Sequence, residues 1–400
     1  MSPLRVGMIF GGRSVEHEVS VLTAHQAIAA LPRDKYTPVP IYISKAGQWF
    51  TGDALLDLKN FSDLENLQTL AEPIIFSADA TQPGLLARRA SERKGIFGGR
   101  AGGEPVIEPL DVAFPLLHGS HGEDGTVQGL LELADLPYVG CNVEAAAIGM
   151  DKLMAKLALR AAGAPVLPDY VVSRARWQRD PDAVVAEIEA AFPYPVFVKP
   201  VSLGSSIGVS GAEDATALRF AIDVAATYDS RVMIEPAQLD IVEINCAVLG
   251  NDMEVRASTC ERPISAGTLS YEEKYLKGGK SDGMKGARRI IPADISPELT
   301  ERIQQAAIQA FRAIGAAGVS RVDFLVRRDE SSFYINEINT LPGSLAFYLW
   351  EPSGVPFPEL LATMIGYAQA RYREKRRSTF SFSSSLLSGN ALLGPKTGEA

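Results

Sequence analysis

Hydrophobic and polar positions predict alternating strands and helices over the first third of the chain. The apolar run LRVGMIF ends at a glycine pair and precedes a helical pattern from about Val15 to Ala30, with Ser14 as its expected cap. YTPVPIYI and DVAFPLL have the pattern of buried strands, and TVQGLLELADL that of a helix. Residues 52–107 show poor periodicity and contain the charged, glycine-rich ARRASERKGIFGGRAGGE, which predicts an exposed excursion. The strand–helix order favours a parallel open sheet.

The rest of the chain divides into a middle and a C-terminal region. The middle region starts with the amphipathic helix DKLMAKLALRAAG and predicts strands at DYVVS, PVFVKP, SIGVS and RVMIEP, with helices between them. The C-terminal region has β-rich runs at EINCAVLG, MEVRAST, VSRVDFLV and FYINEIN, and helices at PELTERIQQAAIQAFRAIG and PFPELLATMIGYAQARYREKRR. We therefore predict an α/β chain, α+β in its C-terminal part, with domains at residues 1–146, 147–237 and 238–374. The Ser/Gly-rich residues 375–400 are expected to be disordered.

Composition and charge narrow the class of function. A length of 400 residues, 46% of them hydrophobic, supports two or three domains. The net charge of −9 argues against a general nucleic-acid binder, so an anionic ligand needs a local cluster of cations. Cys141, Cys246 and Cys260 show no CxxC spacing, which argues against a disulfide framework or a zinc site and fits a reducing cytoplasm. We recognise neither a signal peptide nor a membrane-spanning run, and expect no membrane partner.

Two stretches in the C-terminal region each place polar groups on one strand face. Arg321 and Asp323 lie two residues apart in VSRVDFLV, as do Glu337 and Asn339 in FYINEIN. If the two strands are antiparallel neighbours, the three oxygen-bearing side chains converge. Such a set suits Mg²⁺, which takes one or two carboxylates and leaves room for phosphate oxygens. The pattern therefore points to nucleotide chemistry.

Basic and small residues of the middle region are candidates for binding phosphate. Lys199 ends the strand PVFVKP, and Gly204-Ser205-Ser206 follows in a loop whose backbone N–H groups could approach an anion. Because this loop joins two strands it is not a Walker A motif, and taken alone it is better explained by an ordinary hairpin with a surface lysine. Lys152, at a helix start, is by itself most simply a solvated lysine.

Two glutamates and a glycine-rich cationic segment extend this hypothesis. Glu235 and Glu243 stand at strand ends, where they could accept hydrogen bonds from adenine or ribose, although most such glutamates are surface residues. The segment SYEEKYLKGGKSDGMKGARRIIPADI carries Lys274 and Tyr275 at its base. Its composition is typical of a lid over phosphates, and equally of a mobile solvated loop.

The N-terminal region adds two candidates. His118 follows the buried strand DVAFPLL, at the sheet edge where open α/β sheets bind ligands, although a structural hydrogen-bonding role is as good an explanation. Glu16 lies in the first turn of the first predicted helix. There it would complement the helix dipole or pair with the ammonium group of a ligand.

Taken together, these residues resemble the D-alanine–D-alanine ligase family of the ATP-grasp superfamily. The blocks that carry the resemblance are GGRSVEHEVS, HGSHGEDGTVQGLLE, MDKLMAK, VKPVSLGSSIGVS and the pair SRVDF…YINEINTLPG, with EEKY and IPADI between them. The resemblance spans about residues 5–370. It implies an N-terminal substrate domain with a parallel open sheet, followed by an ATP-grasp pair of domains that clamp ATP.

The resemblance also implies a role for each candidate residue. The expected ATP ligands are Lys152, Lys199, Ser206, Glu235, Glu243 and Lys274. The expected ligands of Mg²⁺ (or Mn²⁺) are Asp323, Glu337 and Asn339. The expected catalytic residues are Glu16, Ser205 and Tyr275, which close over the first amino acid, and Arg321 with the N–H of Gly343, which clamp the oxyanion. The expected neighbours of the second substrate are His118 and Ser344.

The implied reaction joins two D-alanines through an acylphosphate for peptidoglycan precursor synthesis, in the cytoplasm and often as a homodimer. The stretch NTLPGSLAFYLWEPSG is shorter than the usual family pattern, and Ser344 is its nearby serine, so a different acceptor is an open alternative. Tyr275 favours an amine acceptor over D-lactate. The alternatives are an amide ligase of specialised metabolism and a nucleotide-binding protein without turnover. A Rossmann dehydrogenase is disfavoured, because GMIFGG is a poor GxGxxG.

Overall fold

Three β-sheets organise the chain, and their strands follow one another in three successive regions of the sequence. The computed structural model describes residues 2–87, 107–264 and 289–384. None of the helices in these ranges is both long enough and apolar enough to cross a lipid bilayer.

The first sheet is mixed. Its strands are β1 (Leu4–Gly11), β2 (Tyr36–Ile43), β3 (Trp49–Thr51), β4 (Glu72–Ser77), β5 (Gly84–Ala87), β6 (Ile107–Glu108) and β7 (Val112–Pro115). They lie in the order β6-β5-β4-β3-β2-β1-β7. As predicted, β1 is parallel to both β2 and β7, but every pair from β2 to β6 is antiparallel. The described part of the 52–107 excursion adds strands to the sheet edge, which corrects the expectation of an exposed excursion for that part, while residues 88–106 lie outside the described residues.

Four helices accompany this sheet: α1 (His17–Ala30), α2 (Leu64–Leu70), α3 (Thr126–Leu133) and α4 (Val143–Met150). Helix α1 starts later than predicted, and Ser14 does not cap it. The hydroxyl of Ser14 instead accepts a hydrogen bond of 3.1 Å from the N–H of Glu16. Gly11, at φ +90°, allows the sharp exit from β1, because a Cβ there would lie 2.3 Å from the carbonyl oxygen of Ile43. This turn places Glu16 at the sheet edge.

The second sheet is antiparallel and lies in the middle region. Its elements are α5 (Lys152–Ala161), β8 (Tyr170–Ser173), α6 (Arg174–Arg179), α7 (Pro181–Ala191), β9 (Val196–Pro200), β10 (Ser210–Ala212), α8 (Ala215–Tyr228) and β11 (Arg231–Pro236). The strand order is β10-β9-β11-β8. The predicted strand SIGVS is mostly turn, and the strand starts only at Ser210. The glycine-serine loop nevertheless joins two strands, as expected.

The third sheet, also antiparallel, has the order β14-β13-β12-β15-β16. Its elements are β12 (Ile241–Gly250), β13 (Val255–Pro263), β14 (Arg289–Ile290), α9 (Pro297–Ala313), β15 (Gly318–Arg327), β16 (Phe333–Asn339), α10 (Phe347–Trp350) and α11 (Phe357–Lys375). One hydrophobic cluster combines Phe10 and Val21 of the first region with Leu249, Trp350 and Leu361 of the third. This shared core packs α1 against the segment that follows β16, including Leu341 and Leu345.

Candidate active site

A cleft of about 160 Å³ lies where the three regions meet, and most of the predicted site residues line it. The lining residues with predicted roles are Glu16, His118, Lys152, Ser205, Glu243, Arg321, Asp323, Glu337, Asn339 and Gly343. Predicted residues that do not line it are Lys199, Ser206, Glu235 and Ser344. Lys274 and Tyr275 lie outside the described residues. The roles of all these residues stay predictions at this point.

The predicted metal ligands converge because β15 and β16 are antiparallel neighbours. Asp323 lies directly opposite Glu337 in the register, and Arg321 lies opposite Asn339. The Nδ2 of Asn339 donates to Oδ2 of Asp323 at 3.1 Å. Within the described ranges no three His, Cys, Asp or Glu side chains form a metal-binding group by themselves. Two carboxylates and one amide therefore make up the donor set, a composition that suits Mg²⁺ when phosphate oxygens complete the shell.

Arg321 is held by one of these carboxylates. Its Nε and Nη2 donate to the two carboxylate oxygens of Asp323 at 2.6 and 2.7 Å. The two residues are two apart on one strand face, so this fork-shaped pairing follows from their spacing. Asp323 therefore binds a fixed cation, accepts a hydrogen bond from Asn339 and lies opposite Glu337 in the register.

Lysines of the middle region face the acidic group of the third sheet. A β-bulge after Asp323 inserts Asn336 into β16 as an extra residue, so two consecutive side chains both meet lysines. The Nζ of Lys199 donates to Oδ1 of Asn336 at 3.2 Å, and the Nζ of Lys152 lies 3.8 Å from Oε2 of Glu337. Lys152 also donates to the carbonyl oxygen of Leu203 at 2.6 Å. The basic and acidic walls expected of a nucleotide site thus face each other.

Glu235 lies behind this wall rather than in the cleft. It is buried and forms ion pairs with both Lys156 and Lys199. Burial, followed by the charge of Lys152, lowers the pKa of Lys199 to about 8. Burial, followed by the charge of Lys199, lowers the pKa of Lys156 to about 7. Sequence reasoning assigned no role to Lys156, although its i, i+4 spacing from Lys152 places both on one helix face.

The amino-acid end of the cleft is built around Glu16. The hydroxyl of Ser205 donates to the buried carboxylate of Glu16. Backbone comes close on two sides, because a Cβ on Gly119 would lie 2.7 Å from Oε2 of Glu16 and one on Gly204 would lie 3.1 Å from it. Ser205 itself has φ +55°, a left-handed conformation that points to a tightly constrained loop. Two members of the predicted trio therefore meet.

Two further side chains lie near the carboxylate of Glu16 in the cleft. His118 was predicted from the sequence, and Glu123 was not. The Nε2 of His118 shares a hydrogen bond of 3.0 Å with the hydroxyl of Thr23, and its Nδ1 lies 3.9 Å from Oε2 of Glu123. Burial lowers the pKa of His118 to about 4, so the ring is neutral at pH 7. Glu123 accepts hydrogen bonds from the N–H groups of Gly119 (2.8 Å) and Leu341 (3.1 Å). Burial, with the charge of Glu16, raises the pKa of Glu123 to about 8.

The shortened stretch after Gly343 takes an unusual path. Ser344, Leu345 and Ala346 have φ values of +54°, +53° and +49°, a left-handed turn of three non-glycine residues. Ser344 is buried, and its N–H donates to the hydroxyl of Thr23 at 3.1 Å. The turn leads into α10, which brings Tyr348 rather than Ser344 to the cleft. A phenol thus occupies this side of the site.

Four lining residues from separate strands and helices form a cluster that the sequence did not predict, here called the Glu261 group: Asn245, Glu261, Arg289 and Tyr348. Glu261 is buried and accepts from the Nδ2 of Asn245 (3.0 Å), the hydroxyl of Tyr348 (3.1 Å) and the Nη1 of Arg289 (3.2 Å). The guanidinium of Arg289 lies 3.9 Å from the ring centre of Tyr348. Asn245 and Arg289 come from the two strands that flank the strand of Glu261, whereas Tyr348 comes from α10.

The chain matches the family model described as D-ala D-ala ligase N-terminus over residues 5–141, and the one described as D-ala D-ala ligase C-terminus over residues 158–366. It belongs to the D-alanine–D-alanine ligase family. This family comprises ATP-dependent, ADP-forming ligases with the ATP-grasp fold. The resemblance, the α/β fold class and the enzyme class predicted from the sequence are thereby confirmed.

Individual relatives match this chain over nearly its full length and over nearly the full length of their own chains. The D-alanine--D-alanine ligase of Heliobacterium modesticaldum is 41% identical, covering 93% of this chain and 96% of its own. That of Ruminiclostridium cellulolyticum is 40% identical, covering 94% and 98%. Among solved structures, the D-alanine-D-alanine ligase from Coxiella burnetii has a TM-score of 0.76 at 32% identity, covering 94% of this chain and 97% of its own. The VanG D-Ala:D-Ser ligase from Enterococcus faecalis has a TM-score of 0.75 at 31% identity, with coverages of 92% and 99%.

Proposed function

We propose that this D-alanine–D-alanine ligase family member joins two D-alanines at the expense of ATP, through an acylphosphate, for peptidoglycan precursor synthesis. One observation carries the proposal: Lys152 faces Glu337 in a cleft that also holds the Glu16–Ser205 pair, and behind its lining Lys199 contacts Asn336. Phosphoryl transfer depends on positioning and charge neutralisation, which opposed cationic and carboxylate walls supply.

The donor set of Asp323, Glu337 and Asn339 fits Mg²⁺ or Mn²⁺, because hard oxygen ligands converge on the face toward the lysines. A bound cation there would neutralise charge on the transferring phosphoryl group. The chain's own residues would hold the nucleotide: Lys152 and Lys199 are the proposed ligands of its phosphates, and Glu243, a further proposed ligand, lines the same cleft as Lys152. We keep Ser206, Glu235 and Lys274 as further proposed ATP ligands.

The first amino acid is proposed to bind between Glu16 and Arg321. The carboxylate of Glu16, oriented by Ser205, would pair with its ammonium group, with Tyr275 as the proposed third partner. Arg321 and the N–H of Gly343 line the same cleft and would stabilise the oxyanion as the second amine attacks the acyl carbonyl. Neutral His118 would neighbour the second substrate, and Ser344 would act through Thr23, which holds the imidazole.

A different acceptor is the second candidate, and Tyr348 at the cleft is the observation that favours it. The deciding experiment incubates purified protein with ATP, Mg²⁺ and a panel of D-amino acids, and measures phosphate release and product mass. Formation of D-alanyl-D-alanine supports the main proposal, and a strong preference for another acceptor supports the second. ATP binding without phosphate release for any D-amino acid would refute both.

We further propose domain limits of 1–146, 147–237 and 238–374, a homodimeric state and a cytoplasmic location. The buried free thiols of Cys141, Cys246 and Cys260 support a reducing compartment. Light scattering after size exclusion tests the dimer, since a monomer mass at micromolar concentration would contradict it.

A further inference from the structure

The second substrate of an amino-acid ligase carries an α-carboxylate close to its attacking amine. The amine must reach the carbonyl carbon near Arg321 and Gly343, and the carboxylate is then only one carbon further away. In the described part of the chain the cleft is lined by six carboxyl groups, of which all but that of Glu123 count as carboxylates, since burial raises the pKa of Glu123 to about 8: Glu16, Glu123, Glu243, Glu261, Asp323 and Glu337. An additional carboxylate can enter such a site only beside a cation that offsets its desolvation and repulsion.

The lining cations have different neighbours. Among the described lining residues these cations are Lys152, Arg289 and Arg321, since burial keeps His118 neutral. Lys152 lies on the phosphate side, 3.8 Å from Glu337. Arg321 is bound in a fork by Asp323 and is proposed to clamp the oxyanion. Arg289 is therefore the cation placed to serve the acceptor.

Arg289 lies next to the reacting end of the cleft. Its guanidinium covers the ring of Tyr348 at 3.9 Å. Burial, followed by the charge of Glu261, raises the pKa of the Tyr348 hydroxyl to about 12, and Arg321 is among the charges that act on it. One aromatic side chain thus separates the guanidinium of Arg289 from that of Arg321.

The Glu261 group holds Arg289 in place. The side chain of Arg289 is 13% exposed and that of Glu261 is 4% exposed, so their ion pair is largely withdrawn from water. Glu261 is itself fixed by Asn245 and Tyr348. The ring of Tyr348 orients the guanidinium plane, and a guanidinium carries five N–H donors, enough to serve two carboxylates. This is a preorganised carboxylate receptor.

We propose that Arg289, held by Glu261 and Tyr348, binds the α-carboxylate of the acceptor and so restricts the acceptor to free α-amino acids. The proposal rests on the ligase function proposed above and deepens it. Residues of the third sheet and of α10 would then recognise the acceptor, a role that the sequence analysis expected of the stretch after Gly343.

The test compares Arg289→Gln and Arg289→Lys with wild type in two assays. Dipeptide formation is measured with D-alanine and with D-alaninamide as acceptors. The first half-reaction is measured separately by trapping the acylphosphate of D-alanine with hydroxylamine, which has no carboxylate. Arg289→Gln should raise the KM for D-alanine as acceptor roughly 10- to 100-fold, because it removes the proposed charge-assisted hydrogen bonds to the acceptor carboxylate. The preference for D-alaninamide over D-alanine should rise by a similar factor, because the amide has no carboxylate to lose. Hydroxamate formation should change by less than about twofold, and Arg289→Lys should restore part of the loss.

Arg262→Gln is the matched control, because Arg262 is on the neighbouring strand and pairs with Asp294 outside the cleft. It should leave both assays unchanged. Arg289→Gln leaves the buried carboxylate of Glu261 without its cation, which can destabilise the fold. If the single variant is unstable, the double variant Glu261→Gln/Arg289→Gln replaces it in both assays. It should show the same loss of acceptor affinity.

The outcomes separate this inference from the proposed function. Wild type that yields neither dipeptide nor hydroxamate refutes the ligase function itself. Wild type that yields dipeptide, together with an Arg289→Gln variant of unchanged acceptor KM and unchanged amide preference, overturns the role of Arg289 alone. Equal loss of hydroxamate and dipeptide in Arg289→Gln also overturns it, because the residue would then act on the first half-reaction.

Discussion

The Nζ of Lys199 donates to Oδ1 of Asn336 at 3.2 Å, a contact that connects the middle sheet to the third sheet across 137 positions of sequence. It exists because the β-bulge in β16 makes Asn336 an extra residue next to Glu337. The bulge therefore aligns the lysine wall with the proposed metal ligands, and both walls depend on the same local irregularity.

Replacing Lys199 with methionine should impair both ATP use and stability. The change removes a cation proposed to bind phosphate and leaves buried Glu235 with Lys156 as its ion-pair partner. We expect the KM for ATP to rise at least about tenfold and the free energy of unfolding to fall by about 1–3 kcal/mol. Steady-state kinetics and urea unfolding measure the two effects. Lys45→Met, at an exposed pair with Glu18, is the control and should be near neutral.

Glu337→Gln should raise the concentration of Mg²⁺ needed for half-maximal phosphate release. The carboxylate is proposed as a metal ligand, and an amide of the same shape binds a hard cation less strongly. Removal of Mg²⁺ with EDTA should abolish the activity of wild type. Asp329→Asn, at an exposed residue paired with Arg327, should keep the wild-type Mg²⁺ dependence. Identical Mg²⁺ titrations for wild type and Glu337→Gln would rule out the proposed ligand.

The stability of wild type relative to Glu123→Gln should fall as pH rises from about 6.5 to 8. Burial and the charge of Glu16 raise the pKa of Glu123 to about 8 from its ordinary 4.5, so the folded state holds a proton that the unfolded state has released. The contribution is fully present below pH 4.5 and is lost by pH 8, at up to about 1.4 kcal/mol per pH unit.

Below pH 6.5 His118 acts in the opposite direction. Burial lowers its pKa to about 4, so stability falls with falling pH as the unfolded histidine takes up a proton. Above pH 6.5, Lys156 and Lys199, whose pKa values burial lowers to about 7 and about 8, act in the direction opposite to Glu123. Both lysines are present in wild type and in Glu123→Gln, so the difference between the two proteins isolates Glu123. Urea unfolding of both proteins across pH 6.5–8 is the measurement, and parallel profiles would show that Glu123 is already ionised in the native state.

Ala346→Gly should stabilise the protein by about 0.5–1 kcal/mol. Ala346 has φ +49°, where a Cβ is unfavourable and glycine is not. Ala158→Gly, inside helix α5, is the matched control and should destabilise by about 1 kcal/mol. Thermal unfolding of both variants measures the difference. A destabilised Ala346→Gly would mean that the turn is held by packing of the methyl group rather than opposed by backbone strain.

Local patterns in the sequence predicted the elements well. Apolar runs identified β1, β2, β9 and β15, because a strand that is buried on one or both faces needs apolar side chains. The described part of the excursion was mispredicted, since β4 and β5 are only six and four residues long, too short for a clear periodicity, and they become strands by pairing at the edge of an existing sheet. The later start of α1 has a similar cause, because Ser14 bonds to the N–H of Glu16 instead of capping.

The sequence by itself determined that Asp323, Glu337 and Asn339 lie on two strand faces, because strand periodicity is a local property. Only the tertiary structure decided that Lys199 meets Asn336, that Glu123 is buried beside Glu16, and that Asn245, Glu261, Arg289 and Tyr348 form one group. Each of these contacts joins segments whose adjacency depends on strand order, on a bulge and on a left-handed turn. Those features arise from the packing of the whole chain, and no short window of residues encodes them.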